Sequence, residues 1–230
     1  MVKKELSIIL ASGGKGLRFE ASKVPKQYIK INNIPIFLYN IIAMDKISLI
    51  KRIIVAKSAD INDTYFLNLF KKFKIKKKIN LIDGKNSRFK TVKEAFSMSQ
   101  IDTPFVGIHD AVRPNFNFNY INQMMTQIGK SDGIVPVSKI TSTIKNVRGK
   151  LVLKTIPRDD LYISQTPQIF KTEVMTNCYK KIKKSNINFT DESEMVEKNG
   201  FSVQTFKVDE NNIKITTKED LKIFKALKAK

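Results

Sequence analysis

Residues 6–27 read LSIILASGGKGLRFEASKVPKQ, and the fold follows from how this stretch divides. Leu6 to Leu10 is a short apolar run of the kind that makes a buried parallel strand. Ser12, Gly13, Gly14 and Gly16 follow at once. Glycines free the backbone for positive φ and let another molecule approach its N–H groups closely. Amides presented by such a turn form an anion nest suited to phosphate. The loop then supplies Lys15, Arg18, Lys23 and Lys26. A donor-rich, cationic loop leaving the first strand of an α/β sheet is a device for binding polyphosphate. The Walker A pattern is absent, and Phe19 stands where the dinucleotide fingerprint needs its third glycine. What remains is G-x-G-x-R followed by Pro25-Lys26-Gln27.

Outward from this stretch, strands and helices alternate. Pro35 to Met44 reads as a helix with proline in its first turn, and Arg52 to Ala56 as a buried strand. Ile61, Tyr65, Leu69 and Phe73 recur at helical spacing. Ile79 to Ile82 is a strand ending at the turn signal Asp83-Gly84. A helix over Ser87–Met98, a strand over Phe105–Ile108, a helix over Tyr120–Ile128 and a strand over Gly133–Val137 complete the series. The alternation predicts a Rossmann-like, mostly parallel sheet with helices on both faces. Such sheets bind ligands at the carboxyl ends of their strands. Between Ser138 and Pro157 the pattern breaks into two β-rich runs around Arg148-Gly149, a hairpin projecting as an arm. Its apolar residues, Ile140, Ile144, Val147, Leu151 and Leu153, lack enough surrounding structure to be covered by their own chain. Helices over about Lys171–Lys183 and Glu192–Lys198, a strand over Phe201–Phe206 and a last helix over Lys218–Leu227, opened by a Thr217–Asp220 capping box, finish the chain. Residues 1–230 read as one domain with 138–157 embedded in it.

The 230 residues are 42% hydrophobic, enough to bury a core. No apolar run approaches the roughly 18 residues of a membrane span, and MVKKELSIIL is too short in its apolar part for a signal peptide. A single cysteine, Cys178, excludes an internal disulfide and fits a reducing cytosol. These features predict a cytoplasmic protein without a membrane partner. The formal charge of +21 raises the alternative of an RNA-binding protein. Only six of the 42 basic residues are arginine, however, which points to a compositional drift toward lysine rather than to nucleic-acid binding. Lys71–Lys78, KKFKIKKK, also lacks the spaced aromatics of a stacking platform. Against that drift, each surviving arginine marks a place where a planar fork is needed. Arg18, Arg88, Arg113 and Arg158 all fall within motifs.

Those motifs lie at strand ends. Asp83-Gly84 is followed by Arg88 and Thr91. His109-Asp110-Ala111-Val112-Arg113-Pro114 places a carboxylate where an α/β enzyme holds a substrate hydroxyl or a metal, with small Ala111 leaving room for a ligand. His109, on the opposite strand face from Asp110, reads as a packed histidine rather than a base. Thr143, Lys145, Arg158, Thr166 in Q-T-P-Q, Thr190-Asp191-Glu192 and Lys214 form a late group. Taken singly they are surface or cap residues, Thr190 being a good N-cap.

With LASGGKGLR, PKQY, DAVRP and the late group together, the chain resembles the cytidylyltransferases, above all the 2-C-methyl-D-erythritol 4-phosphate cytidylyltransferases of the non-mevalonate isoprenoid pathway. The resemblance runs from about Ile8 to Leu221. It implies cytidylyl transfer from CTP to the polyol phosphate, with Arg18, Lys26, Arg158 and Lys214 as catalytic residues. Ala11, Ser12, Gly13, Gly14, Lys15, Gly16, Asp83, Gly84, Arg88, Thr91 and Ala111 would bind CTP, Thr91 by its hydroxyl. Asp110, Arg113, Thr143, Lys145, Thr166 and Thr190 would bind the acceptor. Mg²⁺ would be held mainly by the triphosphate, without a metal site in the protein. The arm would pair two copies and reach into the neighbour's site. Ser142 stands where the family usually has Asp, which leaves ribitol 5-phosphate open as the alternative acceptor.

Overall fold

The computed structural model describes residues 4–14, 24–182, 188–209 and 211–229. Strand β1 (Leu6–Ala11) is buried along almost its whole length, as a strand covered on both faces must be. It lies between β4 (Ile50–Lys57) and β6 (Phe105–Asp110), parallel to both, and β4 pairs in parallel with β5 (Lys78–Asp83). Leu6, Ile8 and Leu10 point into one core with Phe37, Phe66 and Met124. Ile9 points into the other, with Phe89, Val92 and Met175. This period-two division puts α1 (Ile36–Asp45), α2 (Asp63–Lys72) and α4 (Tyr120–Gln127) on one face. On the other lie α3 (Arg88–Met98), α5 (Thr172–Lys181) and α6 (Glu192–Lys198). A two-residue hairpin pair, β2 (Lys30–Ile31) and β3 (Ile34–Pro35), precedes α1. Pro35 ends β3 and caps α1 instead of sitting inside its first turn.

The expected parallel order is interrupted at one place. β7 (Gly133–Lys139) does not pair with β6. Gln168–Lys171, β11, runs antiparallel between the two, and Tyr162–Ser164, β10, continues antiparallel along β7. A chain returning from a hairpin without a helical crossover arrives running backwards, so it can only pair antiparallel. β12 (Val203–Lys207) is parallel to β7. The arm is a separate sheet of β8 (Ile144–Arg148) and β9 (Leu151–Ile156). Its turn uses Gly149 at φ +59°, a conformation glycine adopts at little cost. Ser138 and Lys139, read from sequence as the base of the arm, belong to β7, because Ile163 and Tyr162 pair with them. The last helix, α7 (Lys218–Leu227), packs Phe224 on Ile36 and opens with the Thr217–Asp220 capping box. No helix among the described residues is long and apolar enough to cross a membrane.

Candidate active site

The carboxyl ends of β1, β5 and β6 open into one cleft of about 340 Å³. Gly13, which lines it, packs against Gly84. Gly84 N–H donates to Lys57 O at 2.7 Å. A Cβ on Gly84 would stand 2.8 Å from that oxygen and 2.9 Å from Gly13 Cα, so only glycine fits there. Gly13 and Gly14 line the cleft beside Ala11, and Ser12 is buried behind them. The P-K-Q-Y segment explains how this loop keeps its shape. Gln27 Nε2 donates to Ser12 O at 2.8 Å and to Gly14 O at 2.7 Å. Tyr28 Oη donates to Ser12 O at 2.9 Å and accepts from Ser58 N. With the Ser12 and Gly14 carbonyls engaged in this way, two acceptors of the glycine stretch are neutralised, which favours an anion beside it. Lys26 also lines the cleft. Lys15, Gly16, Arg18 and Lys23 lie outside the described residues.

The segment read from sequence as the base-binding end departs from that reading in detail. Asp83 does not face the cleft: its carboxylate pairs with Lys57, which also meets Asp63 at 3.0 Å and donates to Ile61 O at 2.9 Å. Burial pushes the Lys57 ammonium down, but Asp83 and Asp63 outweigh it and hold the group above its ordinary value. Lys85, Asn86 and Ser87 line the cleft instead. Ser87 caps α3 by accepting from Lys90 N at 3.2 Å. Thr91 lines the cleft too, yet its hydroxyl accepts from Lys85 N at 2.8 Å and donates to Lys85 O at 3.2 Å, which fastens the turn to the helix.

A chain of charges crosses the middle. Asp110 ends β6, almost fully buried. Its Oδ1 accepts from Arg88 Nε at 2.8 Å and its Oδ2 from Lys214 Nζ at 2.7 Å. Arg88 Nη1 donates to Glu192 Oε1 at 2.8 Å. Burial alone would raise the Asp110 carboxyl, but Arg88 and Lys214 more than reverse this and hold it far below the usual carboxylate range. Glu192 is raised by burial, with Arg88 opposing. Lys214 is delivered by the segment after β12, where Ile215 N–H bonds to Val112 O at 2.9 Å.

His109 is fully buried, as its strand position suggested. Nε2 lies 3.1 Å from Asn40 Oδ1 and 3.2 Å from Arg113 O, two acceptors, so this nitrogen carries the proton. Nδ1 then accepts from Thr166 Oγ1 at 3.0 Å, and the same hydroxyl accepts from Asp110 N at 3.1 Å. Burial depresses the imidazole to about 3, which keeps it neutral at working pH. Its role is to hold the backbone of Asp110. Ala111 is buried behind the cleft, its carbonyl accepting from Asn40 Nδ2.

A second cavity of about 120 Å³ adjoins the first, and Arg88, Asp110 and Lys214 line both. It brings together Arg113, Thr166 and Thr190 from the late group. Arg113 is held by its Nη1 on Asn212 O at 2.8 Å, with burial lowering it. The N-cap of α6 is Asp191, not Thr190: the Asp191 side chain accepts from Glu194 N, while the Thr190 hydroxyl meets Glu194 Oε2 at 2.8 Å. Thr143, Lys145 and Arg158 line neither cavity. They are exposed on the arm and just after it, with Lys145 Nζ on Thr155 Oγ1 and Arg158 on Thr141 O.

A mostly parallel α/β sheet whose first strand runs into Ser12-Gly13-Gly14 at a polar cleft, beside a second polar cavity, fits the layout of an α/β nucleotidyltransferase. The model of the 2-C-methyl-D-erythritol 4-phosphate cytidylyltransferase family matches residues 6–229, and the chain belongs to that family. A 2-C-methyl-D-erythritol 4-phosphate cytidylyltransferase of Endomicrobium trichonymphae is 35% identical over 216 residues, 94% of each chain. One of Wigglesworthia glossinidia brevipalpis is 36% identical over 220 residues, 94% of this chain and 93% of that one. The fold is similar to the crystal structure of 4-diphosphocytidyl-2C-methyl-D-erythritol synthase from Anaerococcus prevotii. The TM-score is 0.84 at 23% identity, covering 99% of this chain and all of that one.

Proposed function

We propose that this chain transfers the cytidylyl group of CTP to 2-C-methyl-D-erythritol 4-phosphate, releasing pyrophosphate, within a single catalytic unit. Family membership over residues 6–229 carries the reaction. Support for the layout comes from the wall of Arg88, Asp110 and Lys214 shared by two adjoining cavities, one sized for a nucleotide and one smaller. A phosphate oxygen of the acceptor attacks the α-phosphorus of CTP, a new P–O bond forms in line, and the bond to the β-phosphate oxygen breaks. The nucleophile is already an anion, so no general base is required. Catalysis consists of positioning and charge stabilisation.

In this reading Lys26 and Arg18 meet the α-phosphate, while Lys15 and the amides of Gly13, Gly14 and Gly16 meet the β- and γ-phosphates. Lys85, Asn86 and Ser87 face the base, with Gly84 and Thr91 fixing their turn. Lys214 and Arg158 hold the acceptor phosphate; Asp110, Arg113, Thr143, Lys145, Thr166 and Thr190 surround its hydroxyls. Among the described residues no three His, Cys, Asp or Glu side chains gather into a metal site. Both oxygens of Asp110 are already taken by cations. Mg²⁺ would be held mainly by the triphosphate and would supply charge neutralisation on the leaving pyrophosphate.

The arm favours a homodimer. Val147, Leu151, Val152 and Leu153 are all at least half exposed, and a two-fold copy would cover them. The same pairing would carry Thr143, Lys145 and Arg158 to a neighbour's cleft, which their own chain does not offer them. We place the enzyme in the cytoplasm and assign the +21 charge to composition rather than to nucleic acid. Pyrophosphate release with CTP and a panel of polyol phosphates tests the reading. Turnover with the methylerythritol phosphate supports it; preference for ribitol 5-phosphate overturns the acceptor, and salt-sensitive RNA binding without CTP turnover overturns the whole.

A further inference from the structure

Asn212 lines neither cavity and is buried, yet three residues that line the second cavity are bonded to it. Arg113 Nη1 donates to its carbonyl oxygen at 2.8 Å. Its side-chain Nδ2 donates to Gln165 Oε1 at 2.7 Å and to Thr166 O at 3.1 Å. The orientation of this amide is not free. Thr166 O can only accept, so the nitrogen of Asn212 must face it, and Gln165 must then present its own oxygen. That turns Gln165 Nε2 to Ser138 Oγ, 2.9 Å away, while Gln165 N–H donates to Pro136 O at 2.8 Å. Through Gln165, Asn212 is tied to β7.

The bonds also close a circuit around Lys214, two residues further on. Lys214 Nζ meets Asp110 Oδ2 at 2.7 Å, and Asp110 N–H donates to Thr166 Oγ1 at 3.1 Å. Thr166 O then leads back to Asn212. On the far side of Lys214, Ile215 N–H bonds to Val112 O, and the Ile215 side chain is buried with Ile36 and Phe224. A lysine has many rotamers, and fixing its backbone on both sides narrows where its ammonium can reach. The bonds of Asn212 go to the second cavity and not to the glycine loop or to Lys85, Asn86 and Ser87. We propose that Asn212 is a positioning residue that holds Arg113, Thr166 and Lys214 in register across the second cavity.

The kinetic consequence rests on the proposed reading of that cavity as the acceptor site. Asn212→Leu keeps the volume and the backbone carbonyl but removes both side-chain donors. KM for the methylerythritol phosphate should rise about tenfold, the scale of leaving buried acceptors unpaired, with KM for CTP unchanged within about twofold. Phe224→Leu loosens the packing behind Ile215 without touching Asn212, so it should lower the urea midpoint and leave the acceptor KM within about twofold. An unchanged acceptor KM in Asn212→Leu, equal rises in both KM values, or an acceptor KM raised as far in Phe224→Leu would each overturn the inference. If Asn212→Leu does not fold, Asn212→Ser takes its place; it retains one donor and should raise the acceptor KM about threefold. A crystal structure of the folded variant gives a readout independent of turnover. Arg113, Thr166 or Lys214 displaced, with Gly13 and Gly14 in place, supports the proposal, and all three left where they were refute it. If the wild type lacks turnover with the methylerythritol phosphate, the functional reading fails, and the crystal structure still decides the role of Asn212.

Discussion

The cleft and the arm are built on opposite terms. In the cleft, side chains are tied to groups far away in sequence. Gln27 holds carbonyls 13 and 15 residues back, and Arg88 reaches Glu192 across 104 residues. On the arm, the observed side-chain bonds are local and lie at the surface, such as Lys145 to Thr155, while Leu151 is 72% exposed and Val152 60%. Large apolar residues are left uncovered in this way where another surface is meant to meet them. The cleft is shaped within one chain. The arm has its fold but not its covering.

The sharpest way to break this contrast is to damage each region and compare. Lys26→Ala should lower kcat by roughly 10²-fold or more, the cost of one transition-state donor, while KM for CTP moves less. Wild-type turnover would take Lys26 out of the chemical step. For the arm, Arg18→Ala and Arg158→Ala subunits, each nearly inactive, should regain about a quarter of wild-type activity once mixed and exchanged, because half the dimers hold one intact site. No recovery after demonstrated exchange would mean that Arg158 serves its own chain.

A smaller effect separates the two regions by pH. His109 titrates at about 3 in the folded chain and near 6.5 when unfolded. Below pH 6.5 the unfolded chain binds a proton that the folded one refuses, so this contribution to stability falls as pH drops toward 3. Between pH 7 and pH 5 the loss is about 2 kcal/mol, measurable as a falling urea midpoint. His109→Gln should flatten that slope although it lowers stability at neutral pH, whereas Leu151→Ser on the arm should leave the slope unchanged. An unaltered slope in His109→Gln would place the acid sensitivity elsewhere. Gln27→Leu comes next, raising KM for CTP roughly tenfold by releasing two carbonyls of the glycine loop. Last, Val152→Thr should change chain stability by less than about 0.5 kcal/mol while weakening self-association in sedimentation.

The sheet was largely legible in the sequence because apolar runs and helical spacing are local signals. The α6 and α7 bounds agree with the reading residue for residue, each being marked by a polar cap. β10 and β11 were not legible: three or four residues carry no period, and their direction depends on how the arm returns. At the site, the strand-end rule located Asp110 and the loop after β1. It placed Asp83 in the cleft, which Lys85, Asn86 and Ser87 line instead, because Asp83 looks like a ligand residue until its partner is known. That partner is Lys57, one lysine among many, brought alongside by parallel pairing 26 residues away. Gln27 and Glu192 stood inside quoted motifs, but their partners were hidden for the same reason, since sequence spacing does not connect them.

The contact between Gly13 and Gly84 has a consequence for how the family can vary. A Cβ at Gly84 would press on Lys57 O and Gly13 Cα, so this position offers variation no side chain with which to experiment. In the proposed function, a shift toward another base would be written in Lys85, Asn86 and Ser87, which line the cleft and are unconstrained by that contact. A library randomised at these three positions should therefore yield folded proteins with altered base preference, and one randomised at Gly84 should return almost only glycine.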